Sequence, residues 1–188
     1  MADQLNVLVI CGSLRKGSYN AALTRALPAL APPEMKLIPA PTIGTFPLYN
    51  ADVQDSSGFP GPAEELAAAI RAADGVLFVT PEYNWSMPGV LKNAIDWVSR
   101  MKDQPFEGKP VAIQSASQGP LGGARMQYHW RMSMTFLKAY IFGTPEIFVG
   151  GAAGKFDKET LALTDQPTKD IVKQQLAAFA KFIAKMKG

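Results

Sequence analysis

Five stretches of this chain are apolar without alternation, and each is short: residues 5–11 (Leu-Asn-Val-Leu-Val-Ile-Cys), 35–38, 75–80, 109–115 and 145–149. An unalternated run of that length reads as a strand covered on both faces, as in a parallel sheet. The segments between them have helical spacing. Residues 21–27 follow the first strand. Residues 62–73 open on Pro62, with acids near the positive end and Leu66, Ile70 and Ala73 on one face. Residues 90–100 turn Leu91, Ala94, Ile95 and Val98 to one side, and a helix from 124 to about 140 follows the fourth strand. The last helix carries one apolar stripe, Val172, Leu176, Phe179, Ile183 and Met186. Strands alternating with helices predict a single α/β domain over residues 1–188, doubly wound around five parallel strands with helices on both faces. Residues 39–61, rich in Pro, Gly and Asn and carrying Phe46 and Tyr49, are predicted to be a long loop covering a site.

Composition narrows the chemistry. With 188 residues, 47% hydrophobic and 19% charged, the chain has enough apolar matter for one buried core and too little charge for disorder. The longest apolar runs are strand-sized, so neither a leader peptide nor a membrane span is expected. The lone cysteine, Cys11, has no partner for an internal disulfide and ends a buried strand, which makes the cytoplasm the default location. A net charge of +3 spread over scattered Lys and Arg argues against nucleic acid as a partner. One histidine, His129, is too few for a His-based metal site or triad and is expected to be structural.

Three turns are unusual, and each follows a strand. Gly12-Ser-Leu-Arg-Lys-Gly-Ser-Tyr-Asn20 joins the first strand to its helix, so free N–H groups gather at a helix N-terminus, where donors and dipole favour an anion. Ser13, Ser18 and Asn20 add side-chain donors, and Arg15 adds a cation. Ser18 stands where a P-loop needs Lys, and the dinucleotide fingerprint lacks its second glycine, so a terminal monophosphate suits this loop better than a triphosphate or pyrophosphate. A turn capped by Ser18 or Asn20 with no ligand is the alternative. The third strand is followed by Pro81-Glu-Tyr-Asn-Trp-Ser-Met-Pro-Gly89, with Tyr83 and Trp85 as flat walls, and the fourth by Ala116-Ser-Gln-Gly-Pro-Leu-Gly-Gly123. With strand order 2-1-3-4-5, all three turns meet at the carboxyl ends of adjacent strands, where open α/β sheets bind ligands. A monophosphate joined to a flat ring with polar edges, such as FMN, fits that constellation.

These motifs, together with Val-Leu-Lys-Asn-Ala-Ile-Asp-Trp after the second turn and Ala-Arg after the third, resemble the NAD(P)H-dependent FMN reductase family. Within it the chain is most similar to the chromate/quinone reductases and their ferric and azo reductase relatives, over almost its whole length. The resemblance implies a flavodoxin-like fold, non-covalent FMN, and a homodimer or a tetramer built as a dimer of dimers. Ser13, Arg15, Ser18, Tyr19 and Asn20 would hold the phosphate. Pro81, Glu82, Tyr83, Asn84 and Trp85 would line the ribityl chain and ring, much of it through backbone groups, and Ser117 would approach the pyrimidine end. Trp85 stands where many members have Tyr, and Gln118 where smaller residues are common. Relatives also suggest that Arg125 and Glu146 pair across a tetramer interface.

The expected reaction carries hydride from NAD(P)H through FMN to quinones, chromate, ferric chelates, azo compounds or free flavins. The flavin carries the chemistry, so no catalytic side chain is named. Arg100 and Arg125 are the candidates for steering anionic acceptors. The rival reading is a flavodoxin-like electron carrier without turnover of its own; such carriers tend to be acidic, and this chain is mildly basic.

Overall fold

The structure, a computed structural model, describes residues 4–187. Its parallel sheet runs in the order β2 (Met35–Pro39), β1 (Leu5–Cys11), β3 (Gly75–Val79), β4 (Pro110–Ala116). Beyond β4 lie β5 (Tyr140–Ile141) and β6 (Ile147–Val149), both parallel to it. This is the flavodoxin-like order. The helices are α1 (Tyr19–Ala26), α2 (Ala51–Ser57), α3 (Gly61–Ala72), α4 (Gly89–Ser99), α5 (Ala124–Phe136) and α6 (Gln166–Met186).

The unalternated strands divide their side chains between two cores, because successive residues point to opposite faces. Val7 and Val9 of β1 join the cluster under α1 and α6, with Leu23, Leu176, Phe179 and Ile183. Leu8 and Ile10 join the other, under α3, α4 and α5, with Leu66, Ile70, Leu91, Ile95 and Trp130. Crossovers on both faces leave the loops after β1, β3 and β4 together at one end of the sheet.

Three boundaries differ from expectation. The fifth position of the sheet is split: Tyr140 and Ile141 pair with Pro110 and Val111, and Ile147–Val149 pairs with residues 114–116. Between the two, Arg131 of α5 holds the excursion, donating to the Phe142 carbonyl and pairing with Glu146 at 3.1 Å. Helix α5 therefore stops at Phe136 rather than near 140, and the chain turns through Lys138 at φ 58°. The predicted loop 39–61 holds α2, capped by Asn50, whose side chain accepts from Asp52 N. Before it, the chain lies across α4, where Asn93 Nδ2 and the buried Trp97 Nε1 both donate to the Pro47 carbonyl.

Candidate functional site

The floor of the crevice is the junction of β1 and β3. Gly12 N donates to the Val79 carbonyl at 2.9 Å, which extends the pairing past the end of β1. A Cβ at Gly12 would run into the side chain of Thr80, which is fully buried, so only glycine lets the two strand ends lie this close.

The first loop leaves that floor and reaches α1. Ser18 is the N-cap: its backbone is extended and its Oγ accepts from Asn20 N at 3.2 Å and Ala21 N at 3.3 Å. The hydroxyl proton is left for another acceptor. Ser13 Oγ accepts from Arg15 N at 3.4 Å. Among the described residues, the N–H groups of Lys16, Gly17 and Tyr19 have no acceptor and the Arg15 guanidinium has no partner. These are the free donors expected of an anion cradle.

Two side chains of this loop are already engaged within the chain. That of Asn20 is tied to β4 through its Oδ1 and one of its two Nδ2 hydrogens. It is buried, its Nδ2 donates to the Ala116 carbonyl and its Oδ1 accepts from Ala116 N, both at 2.9 Å. The carboxamide thus pairs with the main chain at the end of β4 as another strand would. The Tyr19 ring packs on Phe156, with centroids 5.3 Å apart, and its main-chain N–H opens the helix without an acceptor among the described residues.

The second loop is a two-residue hairpin. Tyr83 and Ser86 exchange both main-chain hydrogen bonds at 2.9 Å, and Asn84 (φ 50°) and Trp85 (φ 64°) form the turn between them. Two successive left-handed residues define a type I′ turn. Asn takes that conformation readily; a tryptophan there carries strain. The strained residue is 63% exposed, with Tyr83 beside it at 50%, so the wall faces outward rather than into the core. Three contacts fix the hairpin to α5. Glu82 Oε2 accepts from Met126 N at 3.0 Å, capping the helix with a carboxylate. The Arg125 guanidinium stacks 4.2 Å from the centre of the Trp85 ring. Ser86 Oγ lies 3.3 Å from His129 Nδ1. None of these ties was read from the sequence. The Glu82 cap spans 44 residues, so the local capping signature that marks most helix starts is absent.

The third loop lies over the start of the segment after β6. Ser117 N donates to the Val149 carbonyl and Ser117 Oγ to the Gly119 carbonyl. Beneath it, buried Ser115 donates to the Gly122 carbonyl at 2.6 Å and accepts from Gln127 Nε2 at 2.7 Å. A Cβ at Gly122 (φ 60°) would strike the main chain of Phe148, so the loop is pressed onto β6.

The structure brings Ser13, Arg15, Ser18, Tyr19, Pro81, Glu82, Tyr83, Asn84, Trp85 and Ser117 to this one end of the sheet, and Arg125 with them. It does not bring Arg100. Helix α4 starts at the crevice and runs back along the sheet, about 16 Å over its 11 residues. Arg100, its C-cap, lies at the opposite end, 5.8 Å from the Tyr49 ring. Within one chain Arg125 and Glu146 are also apart, the first on Trp85 and the second on Arg131.

The residues fit flavin mononucleotide: among the described residues there are free donors and an unpaired guanidinium for a phosphate at one end, and an exposed aromatic hairpin with unpaired main-chain amides at Glu82, Asn84 and Trp85 for a flat polar ring at the other. An anion cradle facing an aromatic wall across the switch point of a flavodoxin-like sheet defines the class as an FMN-dependent oxidoreductase. The chain belongs to the NADPH-dependent FMN reductase family, whose model matches residues 5–154. It is 51% identical over 187 residues to a quinone reductase of Escherichia coli (strain K12), with 100% of each chain covered. An NAD(P)H-dependent FMN reductase of Pseudomonas aeruginosa is 46% identical over 188 residues, again with 100% of each covered. Among solved structures, FerB, a flavoenzyme NAD(P)H:(acceptor) oxidoreductase from Paracoccus denitrificans, superposes with a TM-score of 0.86 at 33% identity, covering 97% of this chain and 98% of that one.

Proposed function

We propose that this chain is an NAD(P)H:quinone reductase whose bound FMN also serves other small acceptors, chromate, ferric chelates, azo compounds and free flavins among them. The observation that carries this reading is the convergence of three loops: unpaired phosphate donors in the first face the outward aromatic hairpin of the second. FMN, when bound, would supply two-electron chemistry between the nicotinamide and the acceptor. The protein's part is to bind and orient. Arg15, the Ser13 and Ser18 hydroxyls and the N–H groups of residues 16, 17 and 19 hold the phosphate. The hairpin amides and the Tyr83 and Trp85 rings would hold the ring system, and the loop at Ser117 would approach its pyrimidine end. Arg125, stacked on Trp85, keeps a cation at the mouth for anionic acceptors.

The chain acts as a homo-oligomer. The outward side of α5 carries Tyr128, Met132 and Phe136, the last 79% exposed, an apolar stripe that a second copy would cover. In sedimentation, Phe136→Glu is expected to reduce the assembly, and an unchanged species would remove this interface. The single unpaired Cys11 suits a reducing compartment such as the cytoplasm.

The functional test is an absorption spectrum followed by anaerobic NADH or NADPH. Flavin bands that bleach and return on adding a quinone support the assignment, and steady turnover excludes a pure electron carrier. A colourless protein that takes up no FMN refutes it.

A further inference from the structure

On the opposite helical layer, away from the hairpin and α5, lies a cavity of about 400 Å³ that the flavin chemistry does not use. Its floor is the outer side of α1 and the turn after it: Ala22, Ala26, Ala29 and Leu30. Its far wall is the segment Thr160–Leu163, and its rim holds Arg25 and Lys169.

The wall is fixed in place. Phe156 and Leu163 form an antiparallel bridge, and Asp157 N donates to the Ala162 carbonyl at 2.8 Å. Asp157 Oδ1 accepts from Thr160 N, Thr160 Oγ1 and Glu159 N. At the tip Leu161 is held at φ 56°, a conformation that branched, bulky residues rarely take, and it lines the cavity. Both cations at the rim lack an ion-pair or hydrogen-bond partner for their head groups among the described residues. Lys169 is half-buried, and the acid one turn before it, Asp165, is already engaged by Thr168 and Lys155.

An apolar floor of small residues under two uncommitted cations is complementary to an anion with an apolar body. The volume lies within the range of about 300–1,000 Å³ typical of small-molecule sites. We infer that this groove binds an amphipathic carboxylate, its chain along α1 and its head group between Arg25 and Lys169.

The test is calorimetric titration of the FMN-saturated protein with decanoate below its micelle concentration, so that the crevice at the carboxyl end of the sheet is already filled. One site per chain is expected, weakening as salt rises. Arg25→Gln with Lys169→Gln should weaken binding at least fivefold while flavin content and quinone turnover stay at wild-type levels. Ala162→Trp, at an exposed position on the wall, should abolish it by filling the groove. Equal affinity in the double variant, unchanged binding in Ala162→Trp, or several decanoates per chain, as for adventitious detergent-like binding, would each overturn the assignment.

Discussion

Replacing Asn20 by alanine separates two roles that its position beside the phosphate cradle would otherwise confuse. The buried carboxamide satisfies both main-chain groups of Ala116 at 2.9 Å. Truncation leaves a buried N–H and a buried carbonyl without partners, each costing about 1–3 kcal/mol. Allowing for a water entering the space, the loss is about 3 kcal/mol, a large share of a net stability of about 5–15 kcal/mol. For a chain of this length that corresponds to a fall in Tm of about 6–12 °C. The assay is urea unfolding of the apoprotein, repeated with saturating FMN. The increment that FMN adds reports its affinity through mass action. For Asn20→Ala both curves are expected to move down together, with the FMN increment nearly preserved. An apoprotein midpoint within about 0.5 kcal/mol of wild type, combined with a collapsed FMN increment, would show that Asn20 acts on the phosphate itself and would refute the reasoning.

Trp85→Gly would turn the hairpin into Asn-Gly, the sequence a type I′ turn prefers; relief of strain of about 1 kcal/mol offsets the lost Arg125 contact, so Tm should hold while quinone turnover falls. A clear drop in Tm would mean that the indole holds the loop together. Glu82→Ala removes the acceptor for Met126 N and should cost about 1 kcal/mol, with Glu82→Gln recovering most of it in chemical denaturation. Equal losses in both variants would point to charge rather than capping. Hydrogen bonds from the Thr160 main chain and hydroxyl, then from Glu159 N, hold the Asp157 carboxyl below the ordinary value of 3.8. Because the folded value is the lower one, the contribution of Asp157 is complete above that pH and is lost as pH falls through the folded value. The protection factors of amides 159 and 160, corrected for intrinsic exchange, should therefore fall only on acidification below about pH 4, and Asp157→Asn should flatten that dependence.

The central strands were legible because they are buried on both faces, so their apolar runs carry no competing polar pattern. Of the two caps the sequence offered for α1, Ser18 and Asn20, it is Ser18 that caps, and the helix begins at Tyr19 rather than at 21. What escaped was either too short or too distant in sequence. Tyr140 and Ile141 make a two-residue strand that exists only because β4 is there to pair with, so local pattern extended α5 through it. Helix α2 buries no residue, which leaves it without an apolar face to read. The roles of Asn20, Glu82 and Arg125 depend on partners 96, 44 and 40 positions away, and their residue types alone did not show that these side chains were already occupied. Arg100 was misplaced because sequence gives proximity to a turn, not the direction in which a helix leaves it.

The bracket between Asn20 and Ala116 also bears on how fast the cofactor is captured. The cap and the bracket are made by the chain's own groups alone, Ser18 Oγ with the main chain of α1 and the Asn20 carboxamide with Ala116, so neither depends on a bond to the phosphate. Uptake should then be limited by encounter rather than rearrangement: one exponential phase, a rate that rises linearly with FMN concentration, and no plateau. A cradle that is finished before its occupant arrives makes the loading of the enzyme a question of supply.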